Sequence, residues 1–286
     1  MSTRPGPRAD PPGPRADPPG QRADPPGPQA AADGRLPGAG RLLPREFFAR
    51  PALAVAGDLL GCVLAHDTSA GLVAVVLTEV EAYEGAADPA SHAYRGRTAR
   101  NAVMFGEPGH AYVYFTYGMH FCVNLVCLPP GTASALLLRA GRVIEGVPLA
   151  TARRVAGRNG ARPGRGAGAL AQANAPAGRV AERELARGPA RLCQALGIGR
   201  QLDGADVCDP GSSLRVLAGL GGPPWPEAPG AEAAVPRVSR GPRIGISAAA
   251  DRPWRFWLTG DPAVSSYRPY TPRARKVSEP GPPGER

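Results

Sequence analysis

The chain has 286 residues, a formal net charge of +10 and a single lysine, Lys276, so nearly all its positive charge is arginine. That balance points to a polyanionic partner, since guanidinium forks suit phosphate, although solubility and a codon bias towards Ala, Gly, Pro and Arg would also produce it. No apolar run reaches the roughly 18–20 residues of a membrane span, no apolar segment near the N-terminus resembles a secretory signal, and the five cysteines include no Cys-x-x-Cys, so the expectation is free thiols in a reducing compartment, without metal or disulfides.

In chain order, residues 1–40 read as a disordered Pro-rich tail. Residues 7–27 hold three copies of a seven-residue unit that begins Pro7-Arg8-Ala9-Asp10-Pro11-Pro12-Gly13, the third opening on Gln21. Proline fixes φ and removes donors, and almost nothing there is apolar. Order is expected from about Leu42, with short helices over 44–48 and 53–60 and Gly61 as a stop. Residues 72–83 read as a strand that turns polar at its end, followed by a polar loop through Arg100. Ala111–Thr116 and Met119–Val126 are rich in β-branched and aromatic residues, and only Tyr117-Gly118 separates them, a strong hairpin signal. A third strand is expected over 134–140 and a helix from about Val143. Residues 157–179 carry no acidic group and read as a flexible basic insertion. Helical spacing returns over 184–196, with Leu185, Leu192, Cys193 and Leu196 as its apolar face. Residues 219–236 read as a loop, 243–246 and 254–258 as final strands, and 269–286 as a disordered tail. Short strands among scattered helices predict one α+β domain over 41–268.

Three groups of residues could carry chemistry. Glu79, Glu81 and Tyr83 alternate along one strand and so share a face. From spacing alone a strand end reaching water is the weightier reading than a site wall. Tyr112 and Tyr114 share a face of the first hairpin strand. Tyr112 reads as core, whereas Tyr114 and the turn residue Tyr117 are divided evenly between packing and stacking on a base or wedging between base steps. Arg95, Arg97 and Arg100, with Thr98 and Asn101, form a loop that suits phosphate contacts or merely water. No metal-binding, dinucleotide-binding or triphosphate-binding motif occurs, and no cofactor is expected.

These residues resemble the 3-methyladenine (alkyladenine) DNA glycosylases. The likeness rests on Glu79-Val80-Glu81-Ala82-Tyr83, Asp88 to His92, Arg95 to Phe105, Pro108 to Asn124 with its Tyr-Val-Tyr…Tyr-Gly-Met…Asn order, Leu137-Leu138-Arg139-Ala140, Gly188 to Ile198, Arg243-Ile244-Gly245-Ile246 and Trp254-Arg255-Phe256. The resemblance implies a curved antiparallel sheet with a protruding hairpin, surrounded by helices. It implies a monofunctional enzyme that flips alkylated or deaminated purines out of duplex DNA and hydrolyses the N-glycosidic bond in base excision repair. Glu81 matches the general base and Arg139 the residue that helps hold the attacking water. Tyr83, His92 and Tyr114 match the clamp around the base, the Ala90 amide a donor to its Hoogsteen edge, and Asn124 the pocket floor. Tyr117 matches the wedge, with Met119 beside it, and Arg97, Thr98, Arg100 and Met104 match the DNA-contacting loop. Ala99 and Thr116 depart from the family pattern, where proline and a bulky aliphatic are usual. The expected partner is double-stranded DNA containing damaged purines, met by a monomer in the cytoplasm near the nucleoid. A non-catalytic binder of damaged DNA is the alternative, and an RNA-binding protein a weaker one. With Lys276 in the tail, no lysine is placed for Schiff-base chemistry, so strand cleavage is not expected.

Overall fold

Antiparallel pairing organises the molecule. The computed structural model describes residues 39–116, 118–158, 180–219 and 237–271, all within the compact unit Asp33–Arg286. The described strands are β1 (Ala39–Leu42), β2 (Val63–Thr68), β3 (Gly71–Tyr83), β4 (Ala111–Thr116), β5 (His120–Cys127), β6 (Ser134–Glu145), β7 (Ala186–Arg187), β8 (Leu214–Gly219), β9 (Val238–Gly241) and β10 (Arg255–Leu258). They form one sheet in the order β1-β8-β2-β3-β6-β5-β4, with β10 added to β3 and β9, and β7 to β6. The described helices are α1 (Arg45–Phe48), α2 (Ala52–Leu59), α3 (Val147–Arg158) and α4 (Pro189–Leu196). The expected single α+β domain is therefore the observed class, with an open sheet rather than a barrel.

The central strands carry the architecture because side chains alternate across a pleat. On one face, Val80 and Ala82 of β3, Leu136 and Leu138 of β6, Val123 and Leu125 of β5 and Ala111 and Val113 of β4 all enter the main core. Val55, Ala56 and Leu59 of α2 and Leu192, Cys193 and Leu196 of α4 belong to the same core. The opposite face carries the intervening residues. Register puts Glu81 opposite Leu137, Leu137 opposite Asn124, and Asn124 opposite Tyr112. Tyr114 pairs with Cys122 one row along. The carboxylates and the aromatic residues that stood apart in sequence are thus neighbours across a few strand spacings of about 4.8 Å each.

Several boundaries differ from the sequence reading. β6 runs on to Glu145 instead of stopping at Ala140, and the helix expected from Val143 begins at Val147. Gly146 makes the corner at φ +73°, where an added Cβ would lie 2.1 Å from the Leu72 carbonyl oxygen. The helix expected over 184–196 is confined to Pro189–Leu196, because Gly188 at φ +112° breaks the backbone and Pro189 opens the first turn. Residues 243–246 form a loop rather than a strand. Strands β1, β2, β7, β8 and β9 are not among those the sequence predicts. All five cysteines are free thiols, as expected. The proline repeats, Tyr117, most of the 157–179 insertion and residues 220–236 and 272–286 lie outside the described residues.

Candidate active site

The polar face of the sheet borders a cavity of about 390 Å³, within the range of small-molecule sites. Tyr83, Ala90, His92, Met104, Tyr114, Asn124 and Arg139 line it, as do Tyr112, Leu137, Cys122 and the loop Ile244–Ile246. Seven of the sequence-derived positions therefore meet at one place.

Glu81 lies directly behind that lining and is fully buried. Its Oε2 accepts the Tyr83 hydroxyl at 2.9 Å, and its Oε1 accepts the Ile244 backbone N–H at 2.7 Å. Arg139 Nη1 stands 3.1 Å from the same Oε1. Arg139 Nε donates to Glu79 Oε1 at 2.8 Å, so one guanidinium joins both carboxylates. Pairing between β3 and β6 is irregular over Leu77–Val80, where Ala140 faces Glu79 and Leu138 faces Val80, so Arg139 falls between paired positions. Such irregularities re-aim side chains beside sites.

Glu79 is buried too and takes further bonds from Arg255 Nε at 2.7 Å, Ser265 N at 2.7 Å and Ser265 Oγ at 2.8 Å. Burial alone would raise the pKa of its carboxyl. The Arg139 and Arg255 charges, with the Arg255 and Ser265 hydrogen bonds, outweigh burial and leave it lowered. Burial would likewise neutralise Arg139, but the Glu81 and Glu79 charges hold it protonated, its pKa raised. Burial and the Glu81 carboxylate push the Tyr83 hydroxyl far up, so Tyr83 remains a donor.

The aromatic wall is ordered by its own contacts. Tyr112 and Tyr114 stack with centroids 5.5 Å apart, and His92 meets Tyr114 edge-on at 4.6 Å. His92 Nδ1 and the Tyr112 hydroxyl are 3.2 Å apart, while Asn124 Nδ2 donates to the Tyr112 carbonyl at 3.2 Å. Burial lowers the His92 pKa and the Arg100 charge lowers it further, favouring the neutral ring. Burial pushes the Tyr114 hydroxyl up, helped by Cys122.

A second buried ion pair supports the other wall. Asp88 accepts both ends of Arg243, at 2.5 and 2.8 Å, and its Oδ1 also accepts the Ala90 amide at 3.2 Å. Arg243 lies between the Tyr83 and Trp254 rings, 4.5 and 5.0 Å from their centroids. Asp88, Arg243, Arg255, Ile244 and Ser265 were given no role by the sequence reading. Asp88 and Arg243 are 155 residues apart, and no spacing rule connects them.

Arg95, Arg97, Thr98 and Arg100 are exposed on the loop beside the cavity. Buried Asn101 organises that loop, donating to the His92 and Gly96 carbonyls and accepting the Thr98 amide at 2.6 Å. Arg100 lies 5.9 Å from the Tyr114 ring centroid. Met119, just past the hairpin turn, is 63% exposed, whereas Met104 is buried in the cavity wall rather than displayed on the loop. Among the described residues no group of three His, Cys, Asp or Glu side chains could hold a metal, and no helix is long and apolar enough to cross a membrane.

The family model for methylpurine-DNA glycosylase matches residues 46–262. A protein of Streptomyces avermitilis named "Putative 3-methyladenine DNA glycosylase" is 52% identical over 82% of this chain and 96% of its own length. Proteins of the same name from Frankia casuarinae and Leifsonia xyli subsp. xyli are 49% and 46% identical, each over 78% of this chain and 92% of their own length. A sheet face of buried carboxylates and stacked aromatics, on a chain with these likenesses, is that of a DNA glycosylase, an enzyme of DNA repair. The family match spans most of the sequence, and the chain belongs to the methylpurine-DNA glycosylase family.

Proposed function

We propose that this glycosylase acts as a monomer on double-stranded DNA, everts an alkylated or deaminated purine into the cavity and hydrolyses its N-glycosidic bond without cutting the strand. The observation that carries the reading is the contact between Arg139, in the cavity wall, and Glu81 immediately behind it. A base inside a duplex is out of reach, so it must leave the stack, at a cost of a few kcal/mol that is least for damaged or mispaired bases. Tyr117, outside the described residues, keeps the wedge role that the family likeness implies, with exposed Met119 beside it. Tyr83, His92 and Tyr114 clamp the everted ring. A purine alkylated at N3 or N7 is cationic and gains from the π-faces. The Ala90 amide and Asn124 discriminate among base edges. Glu81 then takes a proton from the attacking water, which Arg139 helps to hold, and water adds to the sugar carbon as the base departs. Such proton transfer contributes about 10²–10⁴ in rate. Arg97, Thr98 and Arg100 grip the backbone, and Met104 supports the pocket behind them. The enzyme is expected in the cytoplasm with the nucleoid.

The domain is proposed to span 41–268, between tails at 1–40 and 269–286, with 157–179 as an insertion. The test is to incubate the protein with duplexes carrying 3-methyladenine, 7-methylguanine, hypoxanthine or ethenoadenine and to analyse the free bases released. Release of modified purines without borohydride-trappable adducts supports the reading. Release from no lesion, or a covalent enzyme–DNA adduct, sinks it. Tyr117→Ala is expected to lower the rate of base release, and equal turnover would remove the wedge role.

A further inference from the structure

We infer that Glu79 is a positioning residue for base excision: it fixes the Arg139 guanidinium against Glu81 and balances the charge around that base, with Arg255 and Ser265 holding it in place. The inference rests on the reading of Glu81 as the base. Glu79 receives donors from three separate chain segments, Arg139 on β6, Arg255 on β10 and Ser265 beyond it. With Nε committed to Glu79, Arg139 has Nη1 left to face Glu81 at 3.1 Å. A long, rotamer-rich side chain is thereby held at both ends of its fork, which reduces the ordering required when the substrate arrives.

The charges around Glu81 are balanced as well as positioned. Glu79 and Glu81 face Arg139 and Arg255, two anions against two cations, all buried, while Tyr83, Tyr114 and Cys122 face Glu81 as neutral groups and the Asp88–Arg243 pair beyond Tyr83 is neutral as a unit. Removing the Glu79 charge leaves one cation in excess beside Glu81 and weakens its hold on a proton. Removing the Arg255 charge has the opposite effect. Ser265, which supplies two of the four donors to Glu79, lies past the residues 46–262 that match the family model.

The experiment measures single-turnover release of hypoxanthine from duplex DNA against pH, for the full chain and its variants. Glu79→Gln keeps the side-chain shape. It is expected to move the acid limb of the profile to lower pH and to reduce the plateau rate, by at most about tenfold for each unit of proton affinity lost. Binding of the damaged duplex should stay within about twofold of the parent, because the phosphate contacts are untouched. Arg255→Gln is expected to move the limb to higher pH, and the double variant to return it towards the parent. A residue that merely holds the fold would not produce shifts of opposite sign. Unmoved acid limbs in both single variants overturn the inference, as does a double variant that fails to return. Should Glu79→Gln not fold, the double variant, which removes both partners of the buried pair, is compared with Arg255→Gln alone, and a limb no lower in the double variant overturns the inference. Glu81→Gln separates the two claims: retained activity there defeats the Glu81 assignment, whereas an inactive Glu81→Gln beside unshifted limbs defeats only the role of Glu79.

Discussion

The two faces of the central sheet are one residue out of step and chemically opposite. Val80, Ala82, Leu136 and Leu138 point into an apolar core closed by α2 and α4. Glu79, Glu81, Tyr83 and Arg139 alternate with them on the same strands and meet as a buried polar network. Glu79, Glu81 and Arg139 are as buried as the apolar residues opposite, so exposure does not distinguish them; the cost of burial does. Apolar side chains gain about 1.5–3 kcal/mol each when buried. Buried charges lose several kcal/mol and recover it only with complete hydrogen bonding. On the polar face, donors from residues 244, 255 and 265 supply much of that hydrogen bonding.

Glu81→Gln should give the largest effect on activity. Base release is expected to fall by about 10²–10⁴, with binding to damaged duplex retained, as read by free-base chromatography and a mobility shift. Full activity would show that the polar face carries no chemistry at this position. On the other face, Leu138→Ala is expected to cost about 2–5 kcal/mol in urea unfolding while the release rate per folded molecule stays the same. A comparable loss of rate would mean that the faces are not separable.

Acid sharpens the contrast further. The Glu79 pKa is lowered in the folded state, so its network contributes stability above the unfolded value of about 4.3 and loses it as pH falls through the folded value. Thermal unfolding should show Glu79→Gln less sensitive than the parent over that acid window. An identical acid dependence in the two proteins would contradict the charge network. The smallest effects are expected at the rim. Arg97→Ala and Arg100→Ala should each reduce the slope of log affinity against log salt by about one, leaving stability within about 0.5 kcal/mol. Either variant without a change in slope would remove that arginine from the phosphate contacts.

What the sequence disclosed follows the range of the interactions. The hairpin was legible because β4 and β5 are adjacent and rich in β-branched and aromatic residues. The shared face of Glu79, Glu81 and Tyr83 followed from the period of two. β2 was not legible, since His66 and Asp67 interrupt its apolar pattern, although His66 is buried with Nδ1 2.8 Å from the Leu196 carbonyl. The apolar spacing over 184–196 continues across Gly188, so the pattern overstates a helix that spans Pro189–Leu196. The Asp88–Arg243 pair and the Ser265 donors depend on tertiary closure across more than a hundred residues and leave no local trace. Glu81 was visible through the family likeness, but nothing in the composition showed that Arg139 would join it to Glu79.

The bond between Ser265 and Glu79 spans 186 positions of the chain. During synthesis the acidic side chain is made 186 residues before the serine that completes its set of donors. Until then this anion must stay hydrated or take up a proton, so the hairpin can form well before the buried charge network closes. Contacts of such long sequence separation are the slow ones in folding. Newly made molecules should therefore acquire native-like secondary structure before they acquire the competence to excise a base.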